Sequence, residues 1–195
     1  MPPPTANPPT LLNVDYAAEQ PALPDYVTDV AHYADGTLRI ASTLSDGSQG
    51  IAAAQLVFSD ATVQASVSLA EGSNDDLYGI FLRSASAQMY YTFAVSPVGH
   101  VFVACYDNEF IPLVSGPLDP DIPFGHGLGV ANRFQVVAIG PSLTFILNGT
   151  LITAEIVDER YREGYLGFFV HHGITSPRAE LAAEWIQVKG VFPPG

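Results

Sequence analysis

The chain has 195 residues, 48% of them hydrophobic, with 17 Gly and 16 Pro, enough to bury a sizeable core between many short elements joined by tight turns. Twenty acidic residues against seven basic ones give a formal net charge of −13, a surface that repels nucleic acid and anionic lipid, both of which are held by clustered Lys and Arg. No apolar run approaches the roughly 20 residues that cross a bilayer, so neutral or cationic partners remain and membrane insertion is not expected.

Residues 1–10 are half proline and read as an extended, solvated tether. The segment lacks the basic end and apolar stretch of a signal peptide. It is expected to join a domain at 11–192 to a larger parent protein, with export or anchoring sequence upstream. A first short strand falls near Leu11–Val14, followed by loop to residue 35. Asp35-Gly36 turns the chain into an alternating strand, Thr37–Ser42. Asp46–Gly50 reads as a flexible loop, and Ile51–Phe58 as a strand in preference to a short helix.

Ala61–Leu69 alternates Val63, Ala65, Val67 and Leu69 with Thr62, Gln64, Ser66 and Ser68, the pattern of a strand with one wet face. An acidic loop, Glu71–Asp76, leads into three aromatic and β-branched runs. These are Tyr78–Arg83, Met89–Val95 and His100–Cys105, broken by Gly, Pro and Ser as strands are. Cys105, the single cysteine, excludes an internal disulfide and reads as a small core residue. Phe110–Val114 adds a strand, and Pro117–Gly129, with three prolines and three glycines, a long surface loop.

Asn132–Ile139 is apolar on both faces, as an internal strand is. Leu143–Leu147 and Leu151–Val157 flank Asn148-Gly149, a type I′ hairpin signal. The hairpin accounts for Asn148-Gly-Thr150 without invoking its glycosylation sequon. A charged connection, Asp158–Glu163, precedes the strand Gly164–Val170. Ala182–Gly190 closes the fold; a helix over Ala179–Val188, with Leu181, Trp185 and Val188 on one face, is the competing reading. A dozen strands at hairpin spacing make an all-β antiparallel two-sheet sandwich.

The order of Tyr78–Arg83, Tyr90–Gly99, Asn132–Val136, Gly140, Leu143–Gly149, Gly164–Phe168 and the strand around Trp185 resembles the concanavalin A-like lectin/glucanase superfamily. Within it, the likeness is to the laminin-G-like and bacterial keto-disaccharide-hydrolase-like branch, over residues 35–190. The resemblance implies a jelly roll with one concave face that holds carbohydrate on the face or its rim. It also implies an extracytoplasmic place on a bacterial surface protein. The motifs are structural, so they carry the fold and not an activity.

Candidate chemistry is sparse. A retaining glycosidase sets two carboxylates about 5–5.5 Å apart, on one strand at i and i+2 or i+4, and the Glu-x-Asp-x-Glu strand of the superfamily's glucanases has no counterpart here. His171 and His172 are neighbours on a strand and point to opposite faces, which opposes joint chelation unless the strand ends at Gly173. Asn74, Asp75 and Asp76 offer hard oxygen ligands for Ca²⁺, which laminin-G-like domains hold at loop rims. A face combining Tyr90, Thr92, His100 and Tyr106, with Arg83 nearby, has the character of a sugar platform: aromatic planes beside hydrogen-bonding groups. Three functions are consistent with these residues. The first is a recognition module for carbohydrate or a surface protein, the second an enzyme of the keto-disaccharide-hydrolase type with His, Asp or Glu in one pocket, and the third an assembly domain of a surface or particle coat.

Overall fold

The computed structural model describes residues 9–23, 29–43, 47–54 and 56–190; most of the proline-rich start and the Pro193-Pro194 end lie outside the described residues. No helix occurs among them, and Ala179–Gly190 is a strand throughout. The first nine strands are β1 (Thr10–Asp15), β2 (Ala31–Ala34), β3 (Thr37–Ser42), β4 (Gly47–Ala52), β5 (Ala61–Glu71), β6 (Leu77–Ser86), β7 (Met89–Val95), β8 (His100–Asp107) and β9 (Phe110–Pro117). Six follow: β10 (Asn132–Ile139), β11 (Ser142–Leu147), β12 (Thr150–Leu151), β13 (Ile156–Val157), β14 (Tyr165–His172) and β15 (Ala179–Gly190).

They form two antiparallel sheets. Nine strands run in the order β12-β11-β10-β5-β15-β3-β2, with β1 beside β15 and β13 beside β11; six run β4-β14-β6-β7-β8-β9. Each strand turns one set of alternate residues into the space between the sheets. From β7 and β10–β11 come Phe93, Phe134 and Phe145, all fully buried, with ring centroids 5.1 Å (Phe93–Phe134) and 5.4 Å (Phe93–Phe145) apart in edge-on contact. Each such ring contributes about 1.5–3 kcal/mol by leaving water. Cys105 lies in this core, where burial pushes its thiol up and away from reactivity.

Two polar groups knot the layers. Asn132, fully buried, donates to Tyr78 Oη and the Gly125 carbonyl, each at 2.9 Å. Its Oδ1 accepts from Gly125 N and Asn148 Nδ2. The long loop after β9 and the Asn148-Gly149 hairpin are thus held by one side chain. Asn148 (φ 50°) and Gly149 (φ 87°) have the positive φ of the type I′ turn, and the Asn148 amide also donates to the Pro123 carbonyl.

Several sequence expectations are corrected. Gly47–Gly50 is not loop but part of β4, which pairs with β14 from Gly47↔His172 to Ala52↔Gly167. Its Gly, Ser and Gln residues carry no alternating apolar signal because the pairing is made by backbone. Of the described residues of Ile51–Phe58 only the first two belong to a strand, and Phe58 makes an isolated bridge to Gly164. Ala31–Ala34 is a strand where loop was expected, paired with β3. The return run Leu151–Val157 is broken into β12 and β13: the register on β11 shifts between Leu151↔Ile146 and Ile156↔Leu143, so surplus residues loop out between them.

In the six-stranded sheet, outward-facing glycines oppose aromatics: Gly79 pairs with Phe169 and Gly167 with Phe81. A Cβ at Gly79 would fall on the Phe93 carbonyl oxygen, and one at Gly167 on that of Ile51. Both are backbone atoms that cannot swing aside. Gly79→Ala and Gly167→Ala are therefore each expected to destabilise by ~3 kcal/mol, the upper end of overpacking. Urea denaturation checks this; a midpoint matching the parent protein would refute the close-approach argument.

Candidate functional site

The six-stranded sheet is apolar on its outer side as well. On β6, Tyr78, Ile80 and Leu82 enter the core, so Phe81 points out; on β14, Leu166, Phe168 and Val170 enter, so Phe169 points out. Phe81, Phe169 and Ala94 form a second buried layer, with Leu77, Tyr90 and Phe110 packed on it. Cross-strand neighbours Tyr90 and Tyr106 stand 5.1 Å apart between ring centroids, and Tyr106 and Phe110 4.6 Å.

Longer contacts reveal curvature. Phe110, on β9, lies 6.2 Å from Phe169 and 6.4 Å from His171, both on β14. Three strands separate β9 from β14, which in a flat sheet would hold them about 19 Å apart. The sheet therefore curves so that side chains of β9 and β14 meet across it, and the outer face is concave.

Two adjoining hollows occupy this concavity and share Ser48, Ala87 and Tyr90. One, of ≈290 Å³, runs from Ser48 and Gln49 over Phe81 and Phe169 to Ser84. The other, of ≈380 Å³, is bounded by Tyr90, Tyr106, Asn108, Glu109, Phe110 and His171. The floor is buried, whereas Tyr90, Tyr106, Phe110 and His171 are half-buried and reachable. Ser48 Oγ and His171 Nδ1 are hydrogen-bonded at 3.0 Å. Burial, and secondarily Tyr106, raise the Tyr90 hydroxyl above the ordinary tyrosine range, so it is a proton donor at neutral pH. A buried support stands behind the wall. Tyr161 Oη donates to the Tyr106 carbonyl at 3.4 Å, and Tyr91 Oη donates to Asp158 Oδ1 at 2.7 Å.

Of the residues singled out from sequence, Tyr90, Tyr106 and His171 meet at this hollow. Thr92 shares the face but is fully buried in its floor, its hydroxyl donating to the Ile80 carbonyl. His100 stands exposed at the other end of β8, six residues and about 20 Å of strand from Tyr106. Arg83 is re-aimed. A bulge interrupts the β6–β7 register after Leu82, Arg83 has φ 51°, and its buried guanidinium donates to the Tyr161 carbonyl at 3.2 Å, 3.7 Å from Asp60. His172 faces inward, 2% exposed; Nε2 donates to the Ser176 carbonyl at 2.6 Å, and Nδ1 has no hydrogen-bond partner among the described residues. Sequence reasoning missed Ser48, Gln49, Phe81, Glu109, Phe110 and Phe169. For Phe81 and Phe169 a signal existed, an aromatic out of phase with the core residues of its own strand.

The acidic loop has another role. Asp76 is fully buried; Oδ1 accepts from Gly173 N (2.7 Å), and Oδ2 from Ser73 N (2.6 Å) and Ser176 Oγ (2.9 Å). Asp75 accepts from the hydroxyls of Ser73 and Thr175 and from Ile174 N and Thr175 N. The oxygens considered for Ca²⁺ are spent fastening the β5–β6 loop to the β14–β15 loop, and Asn74 stands exposed beside them. Among the described residues, no group of three or more His, Cys, Asp or Glu is arranged to hold a metal ion.

No protein-family model matches the chain, and no curated protein matches it. Solved structures do. The carbohydrate-binding module CBM66 from Bacillus subtilis is similar over 83% of this chain and 91% of its own, at 16% identity and TM-score 0.66. A protein of unknown function with a galectin-like fold from Bacillus subtilis matches over 97% and 99%, at 13% identity and TM-score 0.67. The catalytic domain of an endo-1,3-β-glucanase (laminarinase) from Thermotoga petrophila matches over 81% and 79%, at 11% identity and TM-score 0.54. At these identities the likeness is one of fold, and the fold is the concanavalin A-like jelly roll.

The acidic loop yields two measurable outcomes. Asp76→Ala leaves buried donors unpaired and is expected to cost ~3 kcal/mol, while millimolar Ca²⁺ and a chelator give the same urea midpoint. Hydrogen bonds from Ser73 and Thr175 hold the Asp75 carboxyl at about 2, below its ordinary 3.8. Its stabilising effect is therefore full above the ordinary value and is lost as pH falls toward 2. Asp75→Asn should flatten the change in stability between pH 5 and pH 2.5; an unchanged slope would refute the assignment.

Proposed function

We propose that this protein is a carbohydrate-recognition domain that seats a glycan in the concave hollow of its six-stranded sheet, outside the cytoplasm. The observation that carries this reading is the half-exposed wall of Tyr90, Tyr106 and Phe110 standing on a buried floor. Aromatic planes pack against the apolar faces of sugar rings, and a few polar groups fix orientation through the hydroxyls. Ser48, Gln49, Asn108 and His171 border the hollows and supply such groups.

Support also comes from the fold likeness to a carbohydrate-binding module and to glucan-cleaving domains. Recognition is favoured over cleavage by the lining. A carboxylate pair is needed to hydrolyse a glycosidic bond by the common routes, and among the described residues Glu109 is the one carboxylate bordering the two hollows. Trp185, by contrast, belongs to the nine-stranded sheet, its ring 5.5 Å from the Arg133 guanidinium carbon.

A glycan array followed by calorimetry tests the reading. Tyr106→Ala and Phe110→Ala are each expected to weaken the best ligand at least tenfold, the weight of one interface anchor at about 1.5–2 kcal/mol. Their circular dichroism should remain that of a β-sandwich. Tryptophan fluorescence should not respond to the ligand, because Trp185 is on the other sheet. An array without hits, or binding untouched by both substitutions, would overturn the proposal.

A further inference from the structure

The chain's cations are few enough to place one by one. All seven Lys and Arg lie among the described residues, and none borders the concave hollows. Arg39 lies 3.7 Å from Glu180 on the nine-stranded sheet. Arg178 is paired with Glu180 and is 3.7 Å from Glu71. Arg133 donates to Gln64 and stacks on Trp185, and Lys189 sits on β15, opposite Thr62. Arg160 and Arg162 pair within their own loop, with Asp158 at 3.4 Å and Glu159 at 3.5 Å. Arg83 is buried against the Tyr161 carbonyl.

What borders the hollow instead is an acid. Glu109 is exposed at its rim, within a protein of net charge −13. His171 is the one imidazole there, its Nδ1 hydrogen-bonded to Ser48 Oγ at 3.0 Å. A carboxylate or sulfate pressed against the aromatic wall would shed water without meeting a counter-charge, which is costly, and would approach through a repulsive field. Arg is the side chain that normally answers such groups, through a charge-assisted fork. It is absent here, while hydroxyl, amide and aromatic groups, the partners of uncharged sugars, are present.

We infer that the hollow discriminates by charge: it takes chains of uncharged sugars and turns away uronate-bearing, sialylated and sulfated ones. The inference rests on the reading of the concave face as a glycan site and adds the class of glycan.

The test uses the whole chain at pH 8 and low salt, on an array of neutral and acidic glycans. The best neutral ligand is then titrated by calorimetry beside the same oligosaccharide oxidised at C6 to uronates. Array hits are expected among neutral chains, with the oxidised form bound at least tenfold more weakly. Glu109→Lys, a surface change that leaves the fold untouched, should narrow that gap at least threefold, and added salt should narrow it as well. An oxidised or sulfated chain bound as tightly as the neutral one, and lost in Tyr106→Ala, would overturn the charge rule while leaving the glycan site standing. No glycan binding, or hits indifferent to Tyr106→Ala, would overturn the site itself and the rule with it.

Discussion

Strands that are oily on both sides govern this molecule. An antiparallel sheet facing water usually presents one apolar and one polar face, yet β6, β7 and β14 bury residues of both parities: Ile80 with Phe81, Phe93 with Ala94, Phe168 with Phe169. The inner set seals the sandwich. The outer set has no second sheet to pack against, so the sheet curls upon it and brings Phe110 on β9 within 6.2 Å of Phe169 on β14. Concavity and aromatic floor are thus one solution to one problem, the covering of Phe81 and Phe169. The glycines opposite those rings, Gly79 and Gly167, let neighbouring backbone come close enough for it.

This explains why the architecture was legible in the sequence and the site only in part. Strands such as Thr37–Ser42, Met89–Val95 and Asn132–Ile139 have the bounds expected of them, the first from its alternation and the others from apolar runs closed by turn residues. Opposite orientations for His171 and His172 follow from strand alternation, and the structure places one on the concave face and the other in the interior. Tyr90 and Tyr106 share a face for that reason too, being a directly opposed pair.

The misses come from where period two fails. At Arg83 a bulge with φ 51° turns the side chain away from the face that Phe81 and Tyr90 occupy, and no local residue announces it. Gly47–Gly50 carries no alternating apolar residues, so Ser48 and Gln49 were hidden in what reads as a Gly-rich loop. Phe110 reaches the hollow only because the sheet curls, a property of six strands together that no window along the chain contains. The acidic loop is a different case. Asp75 and Asp76 have the composition of a cation site, but their donors, Gly173 to Ser176, lie about a hundred residues on, and only tertiary structure joins the two loops.

Division of labour between floor and wall bears on how such a face can serve recognition. Phe81, Ala94 and Phe169 are buried whether or not anything binds, so their hydrophobic energy is already counted in the fold and is unavailable to a ligand. What a ligand can still cover is the exposed remainder of Tyr90, Tyr106 and Phe110, and their order is fixed in advance by the layer beneath and by the Tyr161 bond behind Tyr106. Rings held this way have little rotamer freedom left to lose, and a contact made without ordering costs converts more of its gross energy into affinity. The polar groups around them come from β4, β14 and the β8–β9 turn, elements whose side chains at these positions take no part in the core. Curvature and floor are therefore constrained by folding, whereas the rim is free to vary and, under the proposed reading, sets which sugar is held.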